Sequence, residues 1–213
     1  MKLILCRHGQ TDYNKEHRLQ GSLETDISSE GRKQAREVGD FLKSKEFDFA
    51  FCSPQKRCMQ TASEIMAFHK DKELVQRNEL REIDVGKYEG MNPAEIEKKF
   101  PGDWKKRMQD KYSFVHAAGE SYAKMDSERI KPLLQEFKEK YYSRTLLLVT
   151  HMGTGRLIIG NMLGLKGKEM MEIHFPNDCI YFIEYRPHKT VLEYVLVETG
   201  KKGKGFITDT DYY

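Results

Sequence analysis

The feature that most constrains this chain is where its short apolar runs end. Residues 2–6, 47–52 and 145–150 are apolar runs too brief for helices, and they read as buried strands. Each runs straight into reactive side chains. The first meets Arg7-His8-Gly9. The second meets Cys52-Ser53-Pro54, with Arg57 in the first turn of the next helix. The strongest, 145–150, ends at Thr150-His151. Residues 73–77 read as a further strand. Amphipathic stretches lie between the runs. Ser28 is placed to cap a helix carrying Ala35, Val38, Phe41 and Leu42 at helical spacing. Pro54 opens another, with Met59, Ala62, Ile65 and Met66 on one face. A long helix is predicted over 121–141, facing Met125, Leu133, Leu134, Phe137 and Tyr141 inward and kinked at Pro132. Another runs from 155 to 163 and stops near Gly164. Residues 179–185 and 190–198 form a hairpin about Arg186-Pro187-His188-Lys189. This alternation predicts an α/β fold: a mostly parallel sheet with helices on both faces.

With 213 residues, the chain suits one domain, 1–198, with a helical insertion over about 91–120 and a polar tail at 199–213. Asn92-Pro93-Ala94-Glu95 opens the insertion as a compact helix start, and Trp104 is its single tryptophan. The glycine- and lysine-rich tail is expected to be mobile. Lys plus Arg is 36 against 33 Asp plus Glu, a balance that argues for neither a nucleic acid nor a membrane partner. No segment approaches the roughly 20 apolar residues of a membrane span. Cys6, Cys52, Cys58 and Cys179 form no C-x-x-C pair and read as reduced, near-core residues of a cytoplasmic protein. No metal or cofactor is expected.

In such sheets, ligands bind beyond the carboxyl ends of the strands. Two arginines and two histidines therefore converge on one edge from three strands. A lone histidine at a strand end is usually an ordinary hydrogen-bonded residue; three coincident strand ends point to a site. The residue types suit a phosphoryl group. Arginine offers bidentate donors that stay charged, a neutral imidazole is a competent nucleophile near pH 7, and Gly9 lets backbone amides approach an anion. Adjacent guanidinium charges are expected to keep His8 neutral.

Residues 5–14, Leu-Cys-Arg7-His8-Gly9-Gln-Thr11-Asp-Tyr-Asn14, resemble the R-H-G-x-T-x-x-N signature of the histidine phosphatase superfamily, which also contains the cofactor-dependent phosphoglycerate mutases. Gln20-Gly21 and Ser28 to Ala35 resemble the loop and helix start that follow it. Cys52 to Ala62 resembles S-S-P-x-x-R-x-x-Q-T-A. Leu80 to Ile83 with Gly86 to Gly90, then Gly119-Glu120-Ser121 and Val149 to Gly153, continue the match in order over about residues 2–185. The resemblance implies a phosphoglycerate mutase-like three-layer sandwich with a small helical lid. It also implies a metal-independent phosphomonoester hydrolase of histidine acid type. His8 would become a phosphohistidine, Arg7, Arg57 and His151 would hold the phosphoryl oxygens, and Glu82 would protonate the leaving oxygen. Thr11, Asn14, Gln20, Gly21 and Met152 are the expected substrate contacts. The partner would be a small phosphorylated molecule, with a phosphoprotein as the wider class; neither substrate nor oligomeric state can be read from the sequence. Met152 stands where many relatives have Gly, Thr150 for Ser, Tyr88 for Trp and Ala118 for Gly.

The mutase alternative needs charged anchors for a phosphoglycerate. Its usual Arg after Glu82 is Ile83 here, its Lys falls at Pro93, and its Asn at Gly153. Lys105, Lys106 and Arg107 offer substitutes, though a solvated helix face accounts for that run. A signalling module on a retired phosphatase fold is the non-enzymatic alternative, weakened by the presence of His8, Arg7, Arg57, Glu82 and His151. Gly153-Thr154-Gly155 lacks the third glycine of a dinucleotide fingerprint, and the tail lacks G-K-[ST]. Trp104, His116 and Met152 are the expected selectivity residues.

Overall fold

The computed structural model describes residues 1–186 and 189–208. Pro187 and His188 of the expected hairpin turn, and residues 209–213 of the tail, lie outside them. Among the described residues the chain order is β1 (Lys2–Arg7), α1 (Asp12–Lys15), α2 (Ser29–Leu42), β2 (Phe49–Cys52), α3 (Lys56–Met66) and β3 (Leu74–Gln76). Then come α4 (Pro93–Lys99), α5 (Asp103–Gln109), α6 (Tyr122–Met125), α7 (Lys131–Lys140), β4 (Thr145–Thr150), α8 (Met152–Leu163) and α9 (Lys168–Met171). The short β5 (Ile173–His174), β6 (Cys179–Glu184), β7 (Val191–Leu196), β8 (Lys202–Lys204) and β9 (Ile207–Thr208) complete it.

The main sheet has the order β3-β2-β4-β1-β6-β7-β8. β3, β2, β4 and β1 are parallel, and β6, β7 and β8 follow as antiparallel neighbours. Strand alternation sorts the core into two layers. Leu3, Leu5, Leu146 and Leu148 face the layer that holds Leu133, Phe137, Leu157 and Ile158 of α7 and α8. Ile4, Cys6, Leu147 and Val149 face Val38, Leu42, Ala62 and Ile65 of α2 and α3. The result is the α/β sandwich that the alternation predicts. All four cysteines are free and buried. No helix among the described residues is long and apolar enough to cross a membrane.

Two expectations need correction in detail. The helix over 121–141 is broken by a π turn at Asp126–Ile130, immediately before Pro132. Proline has no N–H to offer the preceding turn and its ring crowds the carbonyl there, so the helix widens. The tail is not mobile through residue 208. Gly200 and Gly205, with φ of +70° and +80°, turn it back on itself, so that β8 pairs with β7 and β9 with β5. Ile207 is buried and its amide donates to Tyr181 Oη at 3.0 Å. Residues 91–120 carry α4 and α5 and are packed into the fold. Ile96 is buried in the main core, and Tyr88 packs edge-on against Phe100 and His116, with centroids at 5.1 and 5.8 Å.

The loop after β1 lies hard against the start of α2. A Cβ on Gly31 would stand 2.1 Å from the Gln10 carbonyl oxygen, and one on Gly9 would stand 2.3 Å from the Gly31 oxygen. Both clashes are with backbone, which cannot rotate away. Gly31→Ala is therefore expected to destabilise the protein by about 1–3 kcal/mol and to displace the loop carrying His8. Denaturant unfolding of the variant checks this; an unchanged midpoint would contradict the close approach.

Candidate active site

Parallel pairing of β1 with β4 places Arg7 opposite Thr150, so the two strands deliver His8 and His151 side by side. Their rings meet edge-on with centroids 5.2 Å apart. The His8 backbone is pinned at both ends. Its N–H donates to the Thr150 carbonyl at 2.9 Å, and its carbonyl accepts from Asn177 Nδ2 at 2.7 Å. On the ring, Nδ1 lies 2.8 Å from the Gly9 carbonyl. A carbonyl only accepts, so Nδ1 carries the proton and Nε2 keeps its lone pair.

His151 is fixed by the same logic. Arg57 Nε donates to its Nδ1 at 3.2 Å, so Nε2 carries the proton and donates to Ser53 Oγ at 2.8 Å. Arg57, fully buried at the start of α3, also donates to the carbonyls of Leu23 and Gly21 at 2.7 and 3.0 Å. Arg7 donates to the Phe175 carbonyl at 2.7 Å. Burial drives the His8 pKa well below its usual value, and the Arg57 and Arg7 charges add to the effect. Burial, then Arg57, does the same for His151. Both rings are neutral at pH 7, as expected for His8, although desolvation rather than the neighbouring charges leads.

Glu82 reaches this edge from the segment after β3. Its carboxylate accepts from the amides of Gly153 (3.0 Å) and Thr154 (3.2 Å) at the N-terminus of α8, and from Ile83 N–H (3.0 Å). The segment is held by Thr150 Oγ1 on the Leu80 carbonyl and Thr154 Oγ1 on the Arg81 carbonyl. Gln55 joins two walls, accepting from Glu82 N–H at 2.9 Å and donating to the Gly21 carbonyl at 2.9 Å.

These groups line one cavity of about 160 Å³. Arg7, His8, Asn14, Gln20, Gly21, Arg57, Glu82 and Met152 all border it. His151 does not border it; it is buried, bonded to Arg57 and Ser53. Thr11 is not brought to the cavity: it caps α1, its hydroxyl bonded reciprocally with Asn14, and so sets Asn14 rather than touching a ligand. Trp104 and His116 do not border it either. They flank a residue that does, Arg107, whose guanidinium lies 4.8 Å from the Trp104 ring centroid.

Arg18, Tyr122 and Arg156 are lining residues that the sequence reading did not assign, and Arg107 is one it named only with its lysine neighbours as a substitute mutase anchor. Two of them carried a signal. Arg156 is a charge set within the apolar Gly155 to Ile159 stretch, four residues after Met152 and so on its face of the helix. Arg107 shares a helix face with Trp104, while Lys105 and Lys106 point to solvent. Among the described lining residues there are five arginines and one carboxylate, Glu82. Such a cavity concentrates anions.

A family model described as histidine phosphatase superfamily (branch 1) matches residues 3–197. Phosphoserine phosphatase 1 of Hydrogenobacter thermophilus is 33% identical over 165 residues, covering 78% of this chain and 77% of that protein. Fructose-2,6-bisphosphatase of Saccharomyces cerevisiae is 29% identical over 189 residues, covering 87% of this chain and 39% of that protein. The crystal structure of the alpha-ribazole phosphatase of Shigella flexneri superposes with a TM-score of 0.82 at 22% identity, covering 89% and 93% of the two chains, and so shares the fold. With the match spanning nearly its whole length, the chain belongs to the histidine phosphatase superfamily.

Proposed function

We propose that the chain hydrolyses phosphate monoesters through a phosphohistidine on His8. The observation that carries this reading is the ring of His8: its Nδ1–H is spent on the Gly9 carbonyl, so a neutral Nε2 lone pair is held among guanidinium groups beside a carboxylate. Nε2 attacks phosphorus. The N–P bond forms as the bond to the leaving oxygen breaks, and Glu82 supplies that oxygen's proton. Arg7 and Arg57 neutralise the phosphoryl oxygens throughout, and His151, which does not itself border the cavity, holds Arg57 through its Nδ1. Water then attacks the phosphohistidine, Glu82 takes its proton, the N–P bond breaks, and inorganic phosphate departs. Asn14, Gln20, Gly21 and Met152 bound the substrate. Residues 1–198 act as one catalytic unit in which 91–120 supplies the wall around the leaving group.

Two observations favour hydrolysis over phosphoglycerate mutation. Ile83, at the mutase arginine position, is a buried apolar residue of the cavity wall. At Gly153, the mutase asparagine position, a Cβ would stand 2.5 Å from Glu82 Oε1, so a side chain there and the Glu82 amide contacts exclude one another. A cavity of about 160 Å³ suits a small leaving group better than a folded protein surface. Phosphoserine, named by a relative with 33% identity, is the first substrate to offer.

His8→Ala is expected to lower phosphate release on the order of 10⁴-fold or more, with wild-type release persisting in chelator. Glu82→Gln should accumulate a base-stable, acid-labile phosphoenzyme from p-nitrophenyl phosphate, because that leaving group needs no acid while dephosphorylation still needs the base. Labelled phosphate quenched in alkali checks both; label retained in His8→Ala would move the nucleophile elsewhere.

The buried histidines also set a pH dependence of stability. His8, His151 and His116 have depressed pKa values in the folded state, each led by burial, His116 down to about 4. In the unfolded chain each titrates near 6.5. Below that pH the unfolded state binds more protons, so the stability present above it is lost as pH falls towards the folded values. The loss approaches about 1.4 kcal/mol per pH unit for each histidine. Thermal midpoints at pH 7.5 and 5.0 should differ in that direction; equal midpoints would contradict neutral burial.

A further inference from the structure

We propose that Gln55 is a positioning residue for the proton-transfer step, its side-chain amide tying the Glu82 backbone to the Gly21 carbonyl that also receives Arg57. The inference rests on the hydrolase reading and adds to it a residue that is not among those bordering the cavity. Position 55 is an unspecified place in the S-S-P-x-x-R motif, so the resemblance assigns it no role.

Glu82 lies in a stretch, 81–85, that is neither helix nor strand, so no regular ladder fixes its backbone. Side chains do so instead. Thr150 Oγ1 and Thr154 Oγ1 hold the Leu80 and Arg81 carbonyls from β4 and α8. From the start of α3, Gln55 Oε1 accepts from the N–H of Glu82 itself at 2.9 Å. The demand for such a bond is chemical. A general acid must stand within about 2.6–3.2 Å of the oxygen it protonates, and a misplacement of about 1 Å costs on the order of 100-fold in rate.

The burial of Gln55 shows that the amide is placed for this purpose. It is completely buried, and an amide is costly to bury unless both its ends are bonded. Gln55 is the N-cap of α3, yet its side chain makes no cap bond; the amide is spent on two loops. Its Nε2 donates to the Gly21 carbonyl at 2.9 Å, the same oxygen that accepts from Arg57 Nη2 at 3.0 Å. A carbonyl only accepts and an N–H only donates, so these two partners permit one orientation of the amide. The Gln55 backbone is anchored as well. Its N–H donates at 3.3 Å to Ser53 Oγ, which also accepts from His151 Nε2. Its carbonyl accepts from the Cys58 and Met59 amides at 2.9 and 3.1 Å. One side chain thus fixes the acid segment relative to the acceptor loop of Arg57, from a base shared with His151. Methionine would fill the space without either bond, and asparagine is one methylene too short to reach both partners.

The test is the leaving-group dependence of kcat/KM in the full chain, which reports the steps up to formation of the phosphoenzyme. Phenyl phosphate needs a proton on its leaving oxygen, whereas p-nitrophenyl phosphate does not. A general loss of structure lowers both by one factor; a displaced acid lowers phenyl phosphate further. In Gln55→Met the ratio of p-nitrophenyl to phenyl phosphate kcat/KM should therefore rise roughly 10-fold or more over wild type. Glu82→Gln should raise the same ratio, and adding Gln55→Met to it should change the ratio by no more than about 3-fold, because the group being positioned is gone. A thermal melt establishes that each variant is folded. Where Gln55→Met is not, Gln55→Asn carries the same comparison and the same expected direction. A wild-type ratio in the folded variant, or a Gln55→Met effect undiminished in the Glu82→Gln background, overturns the positioning role while hydrolysis stands. No release from either ester by wild type overturns the hydrolase reading, and an unchanged ratio in Glu82→Gln overturns Glu82 as the acid; the role of Gln55 falls with either.

Discussion

The pairing of β1 with β4 governs the chemistry of this molecule. It is a parallel ladder between two strands buried on both faces, in the register that sets Arg7 beside Thr150. Slipping it by one residue would turn each apolar set to the wrong layer, so the core itself enforces the register. The ladder ends where the apolar residues end. The next residues on each strand, His8 and His151, emerge together at the carboxyl edge, where neighbouring strands supply no partners for their side chains. Gly9, Arg57 and Ser53 supply them instead. Core packing and ring orientation are thus two ends of one constraint.

That constraint creates an electrostatic problem, which the loops solve. Arg57 is fully buried, and a buried guanidinium without partners would be strongly destabilising. It donates to two carbonyls of the 21–23 loop and to a neutral His151. Neutral acceptors satisfy its hydrogens without cancelling its charge. A carboxylate partner would have satisfied it as well and would have emptied the site of positive potential. Among the described lining residues the single carboxylate, Glu82, is kept on helix amides at the start of α8 and not on the arginines. This division leaves a positive field that favours an anion, with a carboxylate held apart from it.

How much of this was legible in the sequence follows from which interactions are local. Strand ends and helix starts are local, so Arg7, His8, Arg57 and His151 could be placed on one edge from apolar periodicity. Ser28 and Asn92 cap their helices as their spacing predicts. Glu82 was legible only through a motif, because a non-local contact with α8 brings it to the edge. Thr11 caps α1 with the hydroxyl that a ligand contact would also use, and a motif does not distinguish the two. The tail was misread through composition. Its glycines supply the turns that return Ile207 to the core, and a mean over a lysine-rich segment hides one buried residue. Arg107 was named only together with Lys105 and Lys106, and the sequence did not separate the one buried member of that run from its two exposed neighbours.

The insertion shows why such misreadings cluster at the substrate wall. Residues that line a cavity are neither core nor surface, so hydrophobic pattern does not mark them. Arg107 is held by Trp104, His116 and Tyr122, and through Tyr88 and Phe100 these join the core that also carries α7 and α8. This wall of the cavity is therefore packed with the same side chains that stabilise the fold. Changing selectivity by substitution in 91–120 will carry a stability effect wherever the side chain reaches that shared core, at Ile96, Phe100 or Phe114. Arg107 differs because its charged end borders open cavity. There the lining side chain can vary while Tyr88, Phe100 and His116 keep the insertion in place.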